Sequence, residues 1–145
     1  MDGRDFDADL TITSLEIPLS VLPDIIDSLE RVYPDEGCGI LAGKNHRVEL
    51  GISITNVRHE PTRFLMDANE QLNAFIYIDK KGLDVLAIYH SHPRGGSYPS
   101  PTDLDEFMYP NVVTLIASKS ESKWAFAGYL IHEKRYLEVS IKWFE

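Results

Sequence analysis

Apolar positions recur at two different spacings along the chain, and the change between them predicts where strands and helices lie. Residues 10–17 alternate loosely between apolar and polar positions, which predicts a strand. The next apolar residues fall at helical spacing on one face, which predicts a helix with Ser20 as its N-cap. The residues of that face are Leu22, Ile25, Ile26, Leu29 and Tyr33. Pro34 cannot continue a helix, so the helix is predicted to end there.

The middle of the chain predicts a hairpin followed by a second helix. Residues 38–43 are a short apolar run and residues 48–57 are a second β-rich run, so the two are predicted to pair through a tight turn. Asp67 is predicted to cap the next helix, with Glu70 three residues later completing a capping box. Gly82 suits the position just after a helix, which predicts that the helix ends near it.

The second half of the chain is mostly strand. Residues 83–89 form a continuous apolar run, which predicts a strand buried on both faces. A short helix is predicted at 103–108. Three further β-rich runs lie at 112–117, 124–131 and 136–144. This order predicts a single α/β domain over residues 10–145, with a mixed central β-sheet flanked by helices. Residues 1–9 are predicted to be a flexible N-terminal segment.

Composition narrows the classes of function. The chain has 145 residues and a formal net charge of −9, which argues against a nucleic-acid-binding surface. No apolar run reaches the about 18 residues of a transmembrane helix, and the N-terminal residues lack the apolar core of a signal peptide. Cys38 is the only cysteine, so no internal disulfide can form. These features predict a cytoplasmic protein without a membrane partner.

Candidate chemistry is concentrated just after the apolar run at 83–89. His90 and His92 are one residue apart, so they face the same side if the strand continues through them. A proline and two glycines then turn the chain. Ser100 is predicted to cap a short helix, and that turn can return Asp103 toward the histidines. Two imidazoles and one carboxylate are the three protein ligands of a catalytic zinc site.

Each part of this pattern also has a simpler interpretation. Asp103 can serve only as the capping-box partner of Ser100. Two histidines near the end of a strand can be surface residues. The metal hypothesis depends on the combination of a buried strand, paired histidines, a glycine-rich turn and a capped acid.

These residues resemble the signature of the JAMM (MPN+) metalloproteases, which is His-x-His-Pro, six residues, then Ser-x-x-Asp. The family also has a glutamate upstream, near a Glu-x-Cys-Gly stretch. The matching residues are Glu36, Cys38, Gly39, His90, His92, Pro93, Ser100 and Asp103. The resemblance covers residues 15–144 and is closest to short bacterial members.

The resemblance implies a JAMM/MPN fold like that of the cytidine deaminases, and a role for each matching residue. His90, His92 and Asp103 would hold one Zn²⁺ per chain. Glu36 would take a proton from water and pass it to the leaving nitrogen. Ser100 would donate a hydrogen bond to the developing oxyanion, although one hydroxyl is not expected to serve fully as cap and donor at once.

The same resemblance predicts which neighbouring residues do not react. Cys38 would lie in a strand as an inert core residue and not as a nucleophile. Ser91 lies between the two histidines, so its side chain is expected to point away from the metal and to be structural. The loop at 94–98 is a candidate mobile segment because of its glycines.

The implied reaction is hydrolysis of the amide or isopeptide bond after the C-terminal Gly-Gly of a ubiquitin-like or sulfur-carrier protein. This would release cysteine or a lysine-linked target, and the tail could add a strand to an exposed sheet edge. A peptidase for small peptides and a non-catalytic MPN-type scaffold are the alternatives, and a homodimer is compatible with the sequence. A deaminase is discounted because the chain has no pair of cysteines for its zinc.

Overall fold

A computed structural model describes residues 12–109 and 111–145 of the chain. The flexible segment predicted at 1–9 and the start of the first predicted strand lie outside the described residues. The seven strands are β1 (Ser14–Pro18), β2 (Cys38–Lys44), β3 (Arg47–Ile54), β4 (Asp84–His92), β5 (Val113–Ser120), β6 (Lys123–His132) and β7 (Arg135–Phe144). The helices are a short 3₁₀ turn (Leu19–Val21), α1 (Leu22–Val32), α2 (Ala68–Lys80) and α3 (Pro101–Glu106).

The strands form one mixed sheet in the order β1-β3-β2-β4-β5-β6-β7, closed by pairing between β1 and β7. β4 runs parallel to β5 and antiparallel to β2. This confirms the prediction of a mixed α/β sheet. The closure is weakest between β1 and β3, where the only register pair is Glu16 with Arg47. After Arg47, β3 pairs only with β2 among the described strands. The other edge of β3 is therefore unpaired from Val48 onward.

Helices cover both faces of the central strands, as predicted. Leu41 of β2 and Tyr89 of β4 lie in a core that includes Ile25 and Leu29 of α1. Alternate residues of the same strands lie in a second core with α2; they are Cys38, Ile40, Ala42 and Ile88. Because both faces of β2 and β4 are buried, their sequences are apolar without alternation. The site at the end of β4 therefore rests on rigid, doubly packed strands.

Two predicted helix caps differ from the structure. Ser20 lies inside the 3₁₀ turn, and α1 begins after Val21 without any side-chain cap, with a proline in its first turn. Asp67 does cap α2, because its carboxylate accepts a hydrogen bond from the Glu70 N–H at 2.9 Å. The Glu70 carboxylate instead accepts from the Thr55 N–H at 2.9 Å, so it connects α2 to the end of β3.

The predicted turns and the short helix are largely confirmed. The β2–β3 turn contains Asn45 and His46, both in the left-handed region of φ, and Gly82 after α2 has a φ of 72°. The helix predicted at 103–108 begins two residues earlier, at Pro101, and ends at Glu106. Among the described residues, none of the helices has the length and apolarity to cross a membrane.

Candidate metal centre

The two histidines stand side by side at the carboxyl end of β4. The strand continues through His92, as the metal hypothesis requires, so both rings project from the same face. The Nε2 atoms of His90 and His92 lie 3.2 Å apart. Both side chains are buried, which excludes the interpretation that they are surface residues.

Asp103 reaches the histidines from the first turn of α3. Its Oδ2 lies 2.9 Å from Nε2 of His92 and 3.2 Å from Nε2 of His90. The same oxygen accepts a hydrogen bond from the Ser100 N–H at 2.9 Å, and the full capping box is present. The two interpretations of Asp103 are therefore not alternatives, because one carboxylate caps the helix and faces both imidazoles.

Neighbouring groups orient the two rings. Nδ1 of His92 donates a hydrogen bond to the Gly96 carbonyl at 2.8 Å, which leaves a lone pair on Nε2 for a ligand. The His90 ring stacks on Phe64, with centroids 4.6 Å apart, and its buried Nδ1 has no partner among the described residues.

The electrostatics of this cluster suit a cation. Burial alone would raise the pKa of Asp103, but its hydrogen bonds to His90 and His92 outweigh burial and lower that pKa well below its ordinary range. Burial acts against protonation of His92, yet the hydrogen bond with Asp103 and the Gly96 carbonyl raise its pKa. A positive charge is thus favoured where the three ligand atoms converge. Two nitrogens and one carboxylate oxygen, all within 4.8 Å of one another, fit Zn²⁺.

Glu36 lies just before β2, and its environment is that of a functional acid. The residue is 2% exposed, and its Oε1 has no hydrogen-bond partner among the described residues. Burial raises the pKa of Glu36 to about 8, while His92 lowers it and Asp103 raises it. A buried carboxylate that has one unpartnered oxygen and interacts electrostatically with His92 and Asp103 is typical of a proton-transfer group.

Ser91 anchors the segment that carries Glu36, in agreement with its predicted structural role. The Ser91 hydroxyl accepts a hydrogen bond from the Gly37 N–H at 2.8 Å, and the Ser91 N–H donates to the Gly37 carbonyl at 3.0 Å. The strand that carries the histidines therefore also holds the residue next to Glu36.

Ser100 retains a free donor, contrary to the expectation that capping would compete with it. Its Oγ accepts a hydrogen bond from the Asp103 N–H at 3.0 Å. Acceptance uses a lone pair of the hydroxyl, and the O–H hydrogen stays available for another acceptor. Capping and oxyanion donation are thus chemically compatible.

Cys38 lies in a strand of the core, where the sequence predicts it. Its side chain is buried in β2, and burial raises the pKa of the thiol to about 12. The thiol donates a weak hydrogen bond to the Ile54 carbonyl at 3.4 Å.

A cavity of about 290 Å³ opens beside His90 and Asp103. Its mostly apolar wall comes from the segment after β3 and from the residues that follow α3, and it includes Phe64, Leu65, Met66, Phe107 and Met108. Sequence patterns did not indicate this cavity, because these residues come from separate irregular segments without any periodic signal.

The loop at 94–98, predicted to be a candidate mobile segment, is tied at two points. Tyr129 of β6 donates a hydrogen bond to the Ser97 carbonyl, and the Gly96 carbonyl accepts from His92. The loop thereby supports one ring of the site.

The chain is similar to several known proteins. A family model described as prokaryotic homologs of the JAB domain matches residues 18–127. A protein of Thermus thermophilus named "Probable TtuB-protein conjugate cleaving protease" is 41% identical over 93 residues, which are 63% of this chain and 62% of that protein. The alignment thus spans less than two thirds of the length of the Thermus relative.

One further relative and one solved structure match over most of their length. The "CysO-cysteine peptidase" of Mycobacterium tuberculosis is 30% identical over 124 residues, covering 83% of this chain and 85% of that protein. The solution structure of a Desulfitobacterium hafniense protein superposes with a TM-score of 0.81 at 27% identity, covering 90% of this chain and 93% of the other.

Proposed function

We propose, since this chain belongs to the prokaryotic JAB-domain family of JAMM/MPN proteins, that it cleaves the bond after the C-terminal Gly-Gly of a ubiquitin-like or sulfur-carrier protein. On this proposal the chain is a zinc-dependent hydrolase of JAMM type. One observation carries the proposal. The Nε2 atoms of His90 and His92 converge with a carboxylate oxygen of Asp103, and the buried Glu36 interacts electrostatically with this group.

His90, His92 and Asp103 are the residues that would hold the zinc ion. When bound, zinc supplies Lewis acidity, which polarises a carbonyl oxygen and makes water easier to deprotonate. The hydrogen bond from His92 to Gly96 and the capping contacts of Asp103 keep two of the ligands oriented before any metal arrives.

Glu36 would transfer the proton, and Ser100 would stabilise the negative charge that develops on the carbonyl oxygen. With a pKa of about 8 in the metal-free protein, Glu36 exchanges a proton near neutral pH, and a cation beside it would lower that value. The carboxylate can accept a proton from water and deliver it to the leaving nitrogen. The free O–H of Ser100 can donate to the carbonyl oxygen as negative charge grows on it.

The substrate class is supported by the names of two relatives and by the cavity. The Thermus relative is named for TtuB-protein conjugates, and the mycobacterial relative is named for CysO-cysteine. A narrow Gly-Gly tail can pass close to His90 and Asp103, while apolar side chains further along the tail occupy the cavity beside them.

We further propose a cytoplasmic location without a nucleic-acid partner. The supporting features are the net charge of −9 and a single cysteine held as a buried thiol. Self-association is compatible with these features, and sedimentation would measure it.

The test is intact-mass analysis of ubiquitin-fold carriers that bear either a C-terminal cysteine or an isopeptide-linked lysine. We expect the wild-type protein to release one of these adducts, a chelator to stop the release, and zinc to restore it. Glu36→Gln is expected to lose cleavage while binding zinc normally, and Glu49→Gln, on an exposed residue of β3, is the matched control.

Each outcome assigns the activity. Release of cysteine identifies an enzyme of sulfur transfer, and release at lysine identifies a deconjugating isopeptidase. Cleavage of short peptides alone, or zinc binding without any cleavage, would contradict the proposal in favour of a small-peptide peptidase or an interaction scaffold.

A further inference from the structure

We propose that Asn56 is a positioning residue, which fixes the backbone of Glu36 and the segment at 57–65 as one unit. Asn56 lies two residues beyond β3, and only 5% of it is exposed. The inference rests on the proposed function, because it concerns the residue that would transfer the proton.

The Asn56 side chain uses its full hydrogen-bonding capacity. Its Nδ2 donates to the Glu36 carbonyl at 3.0 Å and to the Arg63 carbonyl at 3.1 Å. Its Oδ1 accepts from the Arg58 N–H at 3.0 Å and from the Leu65 N–H at 2.9 Å. Four bonds satisfy both donors and both lone pairs of a primary amide. One side chain thus joins the Glu36 backbone to three points of the following segment.

The backbone contacts of Glu36 matter because its carboxylate has little other support. Oε1 has no hydrogen-bond partner within the described part of the chain. The Glu36 N–H donates to the Glu60 carbonyl at 2.7 Å, and the Glu36 carbonyl accepts from Asn56. The segment that Asn56 organises thus holds the Glu36 N–H, Asn56 itself holds the Glu36 carbonyl, and Ser91 holds the next amide, that of Gly37. A displacement of about 1 Å in a reacting group can cost about 10²-fold in rate.

The same unit reaches the proposed metal ligands and the substrate cavity. Phe64 lies between the two residues that Asn56 bonds, Arg63 and Leu65, and its ring stacks on His90. Arg63, Phe64 and Leu65 all line the cavity beside the site. Asn56 thereby fixes the position of Glu36, the proposed base, relative to one wall of the cavity.

Asn56→Asp is the informative substitution because it keeps the shape of the side chain. The variant can still accept from the Arg58 and Leu65 amides, but it has no donor for the two carbonyls. A carboxylate oxygen would instead face the Glu36 and Arg63 carbonyls and repel them. Asn73→Asp, on the exposed face of α2, is the control with the same chemical change.

We expect Asn56→Asp to lower kcat by about 10- to 100-fold, with a much smaller change in KM. Zinc content should stay near one per chain, since the proposed ligands lie on β4 and α3. In a Glu36→Gln background, measured by single turnover, the substitution should add no more than about a twofold loss. A merely structural role predicts the same fold loss in both backgrounds, and that result would overturn the inference.

Amide hydrogen exchange in the wild-type protein supplies a readout that needs no substrate. If Asn56 joins these residues, the Glu36, Arg58 and Leu65 amides should open together, with protection factors within about tenfold of one another. In Asn56→Ala all three should exchange faster. If Asn56→Ala left the protection of the Glu36 amide unchanged, that result would by itself overturn the inference.

The two proposals fail in different ways. If the wild-type protein cleaves no carrier, the proposed function fails and hydrogen exchange still decides the role of Asn56. If the wild-type protein cleaves a carrier and Asn56→Asp cleaves it equally fast, only the positioning role fails.

Discussion

Asp103 combines a helix cap and a proposed metal ligand on a single oxygen atom. Oδ2 accepts from the Ser100 N–H and faces Nε2 of both histidines. A group that holds its own helix in place and would also bind the proposed ion needs no separate support. The geometry of the centre and the start of α3 are therefore coupled.

Asp103→Asn should separate these two roles. The amide oxygen can still accept from Ser100, but the negative charge between the imidazoles is lost. We expect zinc affinity to fall by more than about 100-fold while the metal-free protein unfolds within about 1 kcal/mol of wild type. Competition with a zinc chelator and urea unfolding measure the two quantities. Asp103→Ala is the comparison, since it should lose the cap as well, and equal zinc affinity in Asp103→Asn and wild type would contradict the ligand role.

Substitutions of Ser100 test its capping role through stability and its donor role through the rate of cleavage. Ser100→Ala removes the cap and the free donor, so we expect a loss of about 0.5–2 kcal/mol in the free energy of unfolding and about 10²–10³ in kcat. Ser100→Thr keeps a hydroxyl and should retain most of both. Steady-state kinetics and thermal unfolding test this. A kcat for Ser100→Ala close to that of wild type would leave Ser100 with the capping role alone.

At the scale of elements, the site is a strand, a tied loop and a short helix in succession. β4 supplies the histidines, α3 supplies Asp103, and the loop at 94–98 connects them. β6 enters through Tyr129, whose hydroxyl donates to the Ser97 carbonyl next to the Gly96 carbonyl that orients His92. A residue distant in the chain thus fixes the loop that orients a ligand.

Tyr129→Phe tests this support. The substitution removes only the hydroxyl, so the loop should loosen and the hydrogen bond between Gly96 and His92 should weaken. We expect zinc to bind about 10-fold or more weakly, as is typical when a group that orients a metal ligand is lost. Tyr136→Phe on β7, whose ring packs edge-on against Tyr129, is the control. Equal zinc affinity in Tyr129→Phe and wild type would show that the loop holds its shape without this bond.

Local pattern predicted the elements better than their ends. The continuous apolar run of β4, the cap at Asp67 and the turn at Gly82 were all predicted from neighbours in sequence. The local pattern also predicts capping roles for Ser20 and Glu70, and the structure shows neither. In both cases tertiary contacts override the local rule, since Glu70 finds the Thr55 amide and α1 continues from a 3₁₀ turn.

At the scale of the whole molecule, the buried Glu36 links proton binding to stability. In the metal-free protein its pKa is raised from 4.5 to about 8, mainly by burial. The folded state therefore binds this proton more tightly than the unfolded state does. The resulting stabilisation is complete below about pH 4.5 and is lost as the pH rises through about 8.

Glu36→Gln should remove this dependence because glutamine stays neutral. We expect the metal-free variant to gain stability relative to wild type as the pH rises from about 5 to about 8.5. Urea unfolding of chelator-treated proteins at both pH values measures the change, with Glu49→Gln as the exposed control. A difference between variant and wild type that is constant with pH would contradict the raised pKa.

Patterns within the sequence predict the strand and helix order, the α/β class and the metal-ligand hypothesis. These follow from short-range rules: side chains alternate along β4, and a Ser-Pro-x-Asp run starts a helix. The distance of thirteen residues between His90 and Asp103 is short enough for one turn to close.

The way in which Glu36 and its supporting residues come together depends on long-range contacts that no local pattern predicts. Glu36, Asn56 and Ser91 are far apart in sequence, and their polar side chains carry no periodic signal. The pairing of β2 with β4 brings Gly37 to Ser91, and the end of β3 places Asn56 against the Glu36 carbonyl. Burial then raises the pKa of the carboxyl group, which depends on surrounding atoms and cannot be derived from local sequence.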